Sequence, residues 1–374
     1  MLLRILSLTL ALLLTSLADS RADEPIIIAQ GQAAAKPQQP QMILSDDGVV
    51  HLVYGAEGRA YYCAILIGEN KKMEAKALPK AGVMSLGMRR GPRIALNKSG
   101  VCITLIAGEK GKGNDGDILA FSMAKDGPEI WGKPIQVNDV AGSAREGLHA
   151  MATSPDGRIA CAWLDLRNKK SEVMMSLSTD GGAFWSKNSL VYKSPDGAVC
   201  PCCHPSVAFG PSGEINIMWR NALGGARDMY LATSSDEGKT FSKAKKLGQG
   251  TWKLDACPMD GGMFCVDAKG ELSSIWRREN QLFLCEAEGE ERGLGIGEQP
   301  WIASTSKGPA AVWITKRGGQ LNLLKPGETA LVTLDKSAAD PVIAASPDGK
   351  SCAVAWERRE GDKTTILVQH LSLR

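Results

Sequence analysis

Past its first two dozen residues the chain alternates short apolar runs with two-residue turns that end in glycine. The turns are Asp47-Gly48, Ser99-Gly100, Asp156-Gly157, Ser212-Gly213, Lys269-Gly270, Lys307-Gly308 and Asp348-Gly349. Glycine accepts the positive φ that a tight hairpin demands, so each turn predicts two antiparallel strands. About six residues after each turn stand Tyr54, Ile106, Trp163, Trp219, Trp276, Trp313 and Trp356. Five of the nine tryptophans therefore hold one equivalent position, which predicts packing between neighbouring units. A third strand follows in most units, for example over 171–177 and 228–233. Several units open on a residue before proline, as in His204-Pro205, Cys257-Pro258, Gln299-Pro300 and Asp340-Pro341. A period of 38–57 residues in an all-β pattern predicts a β-propeller of four-stranded blades, seven by repeat count, with six as the alternative.

Between the predicted third and fourth strands lies the most specific local motif. Residues 178–185 read S-x-D-x-G-x-x-W and residues 234–241 read S-x-D-x-G-x-T-F, with a worn copy over 122–131 that turns at Asp126-Gly127. The aspartate is expected to accept backbone N–H bonds, glycine to relieve the backbone and the aromatic ring to tuck beneath. Such a turn stabilises a fold and does no chemistry. The last unit stops after three strands at Leu371, and the segment 25–29 is expected to supply its outer strand. That would remove an exposed sheet edge. Residues 23–39 are thus read as a closing strand and linker (30–39), and residues 40–374 as the propeller.

Residues 1–22 read as a secretory signal: Arg4, an apolar run over 5–17, and Ser20-Arg21-Ala22 as a cleavage site. The run is shorter than the roughly 20 residues that span a bilayer, so the mature chain is expected to be secreted or periplasmic without membrane insertion. Charged residues make up 23% of the chain and the net charge is +3, which argues against a nucleic-acid partner. Six of the ten cysteines, Cys63, Cys102, Cys161, Cys265, Cys285 and Cys352, lie in apolar strand runs and read as core.

The two intact boxes resemble the Asp-box, or BNR, repeats of sialidases and related secreted β-propellers, and the resemblance covers nearly the whole mature chain as a repeat pattern. It implies a glycan or other anionic small ligand at the central face and, for an active member, exo-α-sialidase chemistry. In a propeller, residues before each first strand and after each second strand converge on that face. Asp165, Arg167, Arg220, Arg277, Glu279 and Glu357 follow second strands. Arg89, Arg145, Asp255 and Glu298 precede first strands, and Arg227 ends the loop after Trp219. A guanidinium fork matches the two oxygens of a carboxylate. The resemblance therefore implies Arg93 (in Arg93-Ile94-Ala95) and Arg220 as substrate-binding arginines, with Arg167, Arg227 and Arg277 beside them. Asp165 and Glu298 are the candidate catalytic carboxylates. The family's late tyrosine nucleophile is missing, since the five tyrosines are Tyr54, Tyr61, Tyr62, Tyr192 and Tyr230. No cofactor is implied. A non-catalytic binding or assembly module is the alternative.

Cys200-Pro201-Cys202-Cys203-His204 is the least ordinary stretch. Its C-x-x-C-H spacing is formally that of c-type haem attachment, but no small helical domain surrounds it. Cys257 opens the next unit, and adjacent units place these openings side by side. An oxidising compartment predicts a disulfide between Cys257 and one of Cys200, Cys202 and Cys203. A thiolate metal site of redox type, with His204 as a further ligand, is the third functional alternative.

Overall fold

The computed structural model describes residues 24–109, 115–125, 130–287 and 289–373. The expected signal segment and the turn of the worn box lie outside these residues. Among the described residues the chain is all β apart from two single turns of 3-10 helix, Ala33–Ala35 and Ile67–Glu69. No described helix is long and apolar enough to cross a membrane.

The strands form antiparallel up-and-down meanders in five hydrogen-bonded sheets. A representative meander is Ala144–Thr153, Ile159–Asp165, Glu172–Ser178 and Ser189–Tyr192, and the next is Ser206–Phe209, Ile215–Arg220, Met229–Ser234 and Lys245–Lys246. The last sheet is wider because one strand, Leu331–Ala345, serves twice. Its first part pairs with Gly319–Leu324 and its second with Ser351–Glu360. At the far edge of that sheet the N-terminal strand Ile26–Gln32 pairs antiparallel with Lys363–Ser372, Ile26 opposite Val368 and Gln32 opposite Lys363. The strand reaches further than residues 25–29, into what the sequence reads as linker. Gln30, Gly31 and Gln32 take partners in the ladder, and the Gln30 amide donates to Thr365 Oγ1 at 3.1 Å.

No sheet closes on itself by hydrogen bonds; side-chain packing joins them into a ring. Each apolar cluster takes residues from two successive meanders. Trp163 packs with Cys102 and Ile106 of the meander before it. Trp219 packs with Ala162 and Val173. The ring is completed where Val50 and Leu52 of the first meander meet Ala353, Ala355 and Val368 of the last, with Ile28 among them. Trp163, Trp219, Trp313 and Trp356 are wholly buried. Truncating a ring of this size in a core costs about 3–5 kcal/mol, so these positions hold neighbouring sheets together.

The Asp-boxes fold as turns that satisfy themselves. Ser178 Oγ donates to Asp180 Oδ1 at 2.9 Å and accepts the Gly182 N–H at 2.8 Å, and Asp180 Oδ1 also accepts the Phe184 N–H at 2.9 Å. Ser234 and Asp236 repeat this with Gly238 and Thr240. Trp185 tucks in, whereas Phe184 faces solvent. The boxes also touch the preceding sheet: Gly182 lies against Cys102 and Gly238 against Met175.

Candidate functional site at the channel mouth

The first strand of each meander lies innermost, and together these strands line one cavity of about 310 Å³. Gln41, Arg93, Ala150, His204, Met263 and Trp301 are among its lining residues. Several inner strands are bulged where they begin. Register shifts fall between Gln38 and Gln41, between Glu298 and Trp301, and between Ala339 and Val342. At the same openings the residues before proline, Gln39, Gln299 and Asp340, have φ of 57°, 55° and 48°. Bulges re-aim side chains, and strained backbone of this kind gathers where a surrounding structure over-determines it. The result is a set of polar side chains turned toward the mouth of the channel.

These side chains form one connected network. The Gln299 N–H donates to Asp260 Oδ2 at 2.9 Å and its side-chain amide to Asp340 Oδ1 at 3.0 Å. Asp340 pairs with Arg317, whose backbone N–H donates to Glu298 Oε1 at 2.6 Å. Glu298 Oε2 meets Arg277 Nη1 at 3.3 Å. Arg220 spans the rest, donating to the carbonyls of Asp260, Arg227 and Arg277 at 3.0, 2.6 and 2.9 Å. Glu357, wholly buried, pairs with Arg359 at 2.6 Å and accepts the Gln39 N–H at 2.8 Å.

Three buried polar atoms near the mouth have no hydrogen-bond partner among the described residues: Asp260 Oδ1, His204 Nε2 and Arg89 Nε. His204 Nδ1 lies 3.1 Å from Pro205 O, which assigns the proton to Nδ1 and leaves Nε2 an acceptor. Burial, with Arg89 and Arg93 nearby, pulls this imidazole down to about 3, so it is neutral at ordinary pH. Gly261, beside Asp260, lies against the His204 ring; a Cβ there would sit 2.9 Å from Nε2. Burial pushes the Asp260 carboxyl up, only partly offset by Arg89. The Arg89 guanidinium lies 5.1 Å over the Trp301 ring and donates to Pro341 O at 2.9 Å. Arg93 donates to the carbonyls of Arg89, Gly91 and Pro92, and burial followed by Arg89 brings it down to about 9. No ion pair to a carboxylate is made by Arg89 or Arg93 among the described residues. Both guanidinium groups are held by carbonyls, and the buried carboxylates of Asp340 and Asp260 are the countercharges that act on Arg89.

The residues predicted from sequence meet different fates. Asp165 is buried with both oxygens engaged: Oδ2 accepts from Ser143 Oγ at 2.9 Å and Trp163 Nε1 at 2.8 Å, and Oδ1 from the Arg167 N–H and Nε, both at 2.8 Å. It is a structural anchor rather than an acid/base, and Arg167 is spent on it and on Asp139 at 2.9 Å. Arg93 and Arg220 stand at the mouth, but their forks are committed to backbone carbonyls, so neither offers the expected open clamp. Arg227 donates to Leu254 O at 3.2 Å, and Arg277 stacks 5.7 Å from Trp252. Glu298 sits half-buried between Arg277 and Arg317. Asp255 and Glu279 face solvent. Asp260, Asp340, Trp301 and the channel-facing role of His204 escape the motif reading. Their signal was the polar residue before proline at repeat openings, which marks His204 and Asp340, and Asp260 lies just past Cys257-Pro258.

The cysteine group departs from the disulfide expectation. None of the ten cysteines is in a disulfide, and Cys257 is exposed. Cys200 Sγ lies 3.4 Å from Cys203 Sγ and 3.7 Å from Cys202 Sγ, against about 2.05 Å for a disulfide. The loop is set by longer-range backbone bonds, Val199 bridging Asn221 and Cys200 N–H donating to Arg220 O at 3.0 Å, and these hold the thiols side by side instead of turning one pair together.

Residues 91–271 match the family model of the BNR repeat-like domain. Over this segment, just under half of the chain, the sequence is BNR repeat-like. The expected Asp-box resemblance is thereby borne out, and both intact boxes fall inside the BNR repeat-like domain. No curated protein matches the chain. Among solved structures it is similar to an α-L-arabinanase of Penicillium chrysogenum complexed with arabinobiose, at 11% identity over 94% of this chain and 99% of that one, TM-score 0.57. It is similar to a polysaccharide lyase at 12% identity over 92% and 91%, TM-score 0.58. An α-L-arabinofuranosidase of Fusarium graminearum matches at 13% identity over 94% and 98%, TM-score 0.52. At such identity the likeness speaks for the fold, an all-β propeller.

Proposed function

We propose that this protein is a secreted or periplasmic, carbohydrate-directed propeller of seven four-stranded blades that binds an acidic sugar at the channel mouth. The observation that carries this reading is a cavity lined by Arg93, His204 and Trp301, with the unsatisfied Nε2 of His204 at it and the unsatisfied Asp260 and Arg89 buried beside these residues. His204 Nε2 and Asp260 Oδ1 are acceptors for sugar hydroxyls. The half-buried Trp301 supplies a ring for the apolar face of a pyranose or furanose. Arg89 and Arg93 supply positive charge for a carboxylate or sulfate. Solved propellers that share the fold act on or bind glycans, one of them holding arabinobiose, and this supports the ligand class.

Removing a hydrogen bond to a charged or buried group costs about 1.5–3 kcal/mol, roughly 10- to 100-fold in affinity. His204→Ala and Asp260→Asn should each weaken binding to sialic- or uronic-acid oligosaccharides by that factor, read by calorimetry, with neutral analogues binding more weakly to the parent. Thermal unfolding of both variants should stay near the parent's. Acidic oligosaccharides that fail to bind the parent, or that bind both variants as tightly, would overturn the reading. The same oligosaccharides, checked for released sugar, decide between catalysis and binding alone.

A further inference from the structure

The reading of the channel mouth leaves the three buried thiols of Cys200, Cys202 and Cys203 unused. Their sulfurs all lie within 4.8 Å of one another. They form a small buried cluster of their own whose other packed neighbour is Met259, so the pocket is lined by sulfur rather than by the mixed aliphatic groups of the other cores. Four thiolates about 2.3 Å from a tetrahedral cation stand about 3.8 Å apart, and three around a trigonal one about 4.0 Å. The separations of 3.4 and 3.7 Å are close to that spacing and far from a bond.

The loop is clamped from both sides. Besides the Cys200 bond to Arg220, the Pro201 carbonyl accepts Arg145 Nε at 3.0 Å. His204 is turned away, its Nδ1 on Pro205 and its ring in the channel, so it is not a ligand. Cys257 of the next meander is exposed and lies outside the group of three whose sulfurs gather within 4.8 Å.

We propose that Cys200, Cys202 and Cys203 bind one thiophilic d10 cation, Zn(II) or Cu(I). Binding replaces thiol protons, released to solvent, by sulfur–metal bonds. No electron is transferred.

The test uses the full chain, reduced and freed of metal. One arm receives Zn²⁺ alone and the other, under nitrogen, Cu(I) delivered from a weak chelator. Metal retained through gel filtration is measured by mass spectrometry, and the two arms in competition tell which cation the site prefers. One equivalent is expected. Cys200→Ser and Cys203→Ser should weaken retention about 100-fold or more, while Cys352→Ser, in a strand core, should leave it unchanged. Should the serine variants fold poorly, alkylation of the intact parent answers the same question. The cation should protect the peptide spanning 200–203 and leave buried strand thiols as they were. No retained metal in either arm, retention unaffected by Cys203→Ser, or an untreated protein already lighter by the hydrogens of a disulfide mapped to these residues would overturn the proposal. None of these readouts involves a sugar, so they stand or fall apart from the channel-mouth reading.

Discussion

Asp165 shows how one side chain can carry the chemistry of a catalyst and the surroundings of an anchor. Trp163, Asp165 and Arg167 sit two apart on or just past one strand and so share a face, where the carboxylate joins indole and guanidinium. Asp335 repeats the arrangement in another meander, accepting from Trp356 Nε1 and Arg358 Nε, both at 2.7 Å, and from the Ser337 N–H at 2.9 Å. Burial works against both carboxylates, but their donors outweigh it and hold both below the ordinary value of 3.8. A group depressed on folding contributes stability above its unfolded value, and that contribution is lost as pH falls through the folded value. Asp165→Asn should therefore cost about 3 kcal/mol at pH 7, with a smaller cost at pH 2 to 3, measured by urea unfolding across that range. An unchanged midpoint at pH 7 with lost glycan binding would return Asp165 to the site. The W-x-D-x-R spacing was visible in the sequence. The saturation of both oxygens was not, because Ser143 meets the carboxylate only after two strands have paired.

At the scale of elements, turn chemistry was the most legible feature. Hairpin glycines and both Asp-boxes were readable because each motif satisfies its own hydrogen bonds within a few residues. Contacts between elements were not. Gly182, with φ of +93°, needs more than conformational freedom, since a Cβ there would lie 2.5 Å from Cys102 Sγ on the preceding sheet. Gly142, at φ +68°, has open space around it. Gly142→Ala should lose about 1 kcal/mol from backbone strain alone. Gly182→Ala adds overpacking and should lose about 2–4 kcal/mol. Thermal unfolding of the two variants side by side separates the contributions, and equal losses would mean the box does not pin one sheet to the next. The candidate site was less legible for a related reason. Asp260, His204 and Trp301 come from three meanders, and left-handed residues at two of the openings, Met259 and Gln299, help to aim Asp260 and Trp301, which no local periodicity records.

At the scale of the whole molecule, side-chain packing holds much of the ring, and Ile26–Gln32 completes the last sheet by hydrogen bonds. Removing residues through 35 would bare the edge of Lys363–Ser372 and uncover the cluster around Ile28. The shortened chain should unfold at a clearly lower temperature and self-associate, seen by light scattering after gel filtration. A monomer of parental stability would show that the strand is dispensable. The need for a closing strand was readable from the sequence. The strand's true length was not, since Gln30, Gly31 and Gln32 look like linker until Thr364 and Thr365 are seen opposite them.

That pairing also bears on the order of events during folding. The first strand to leave the ribosome takes as its partner one of the last, so almost the whole chain must be threaded into place before the two can meet. The entropy of closing so long a loop grows only slowly with length, and the final stability suffers little from it. The rate suffers more, because the contact gives no return until every intervening meander has formed. Until then Ile26–Gln32 is a free sticky end, and the nascent ring is open at a single, defined seam.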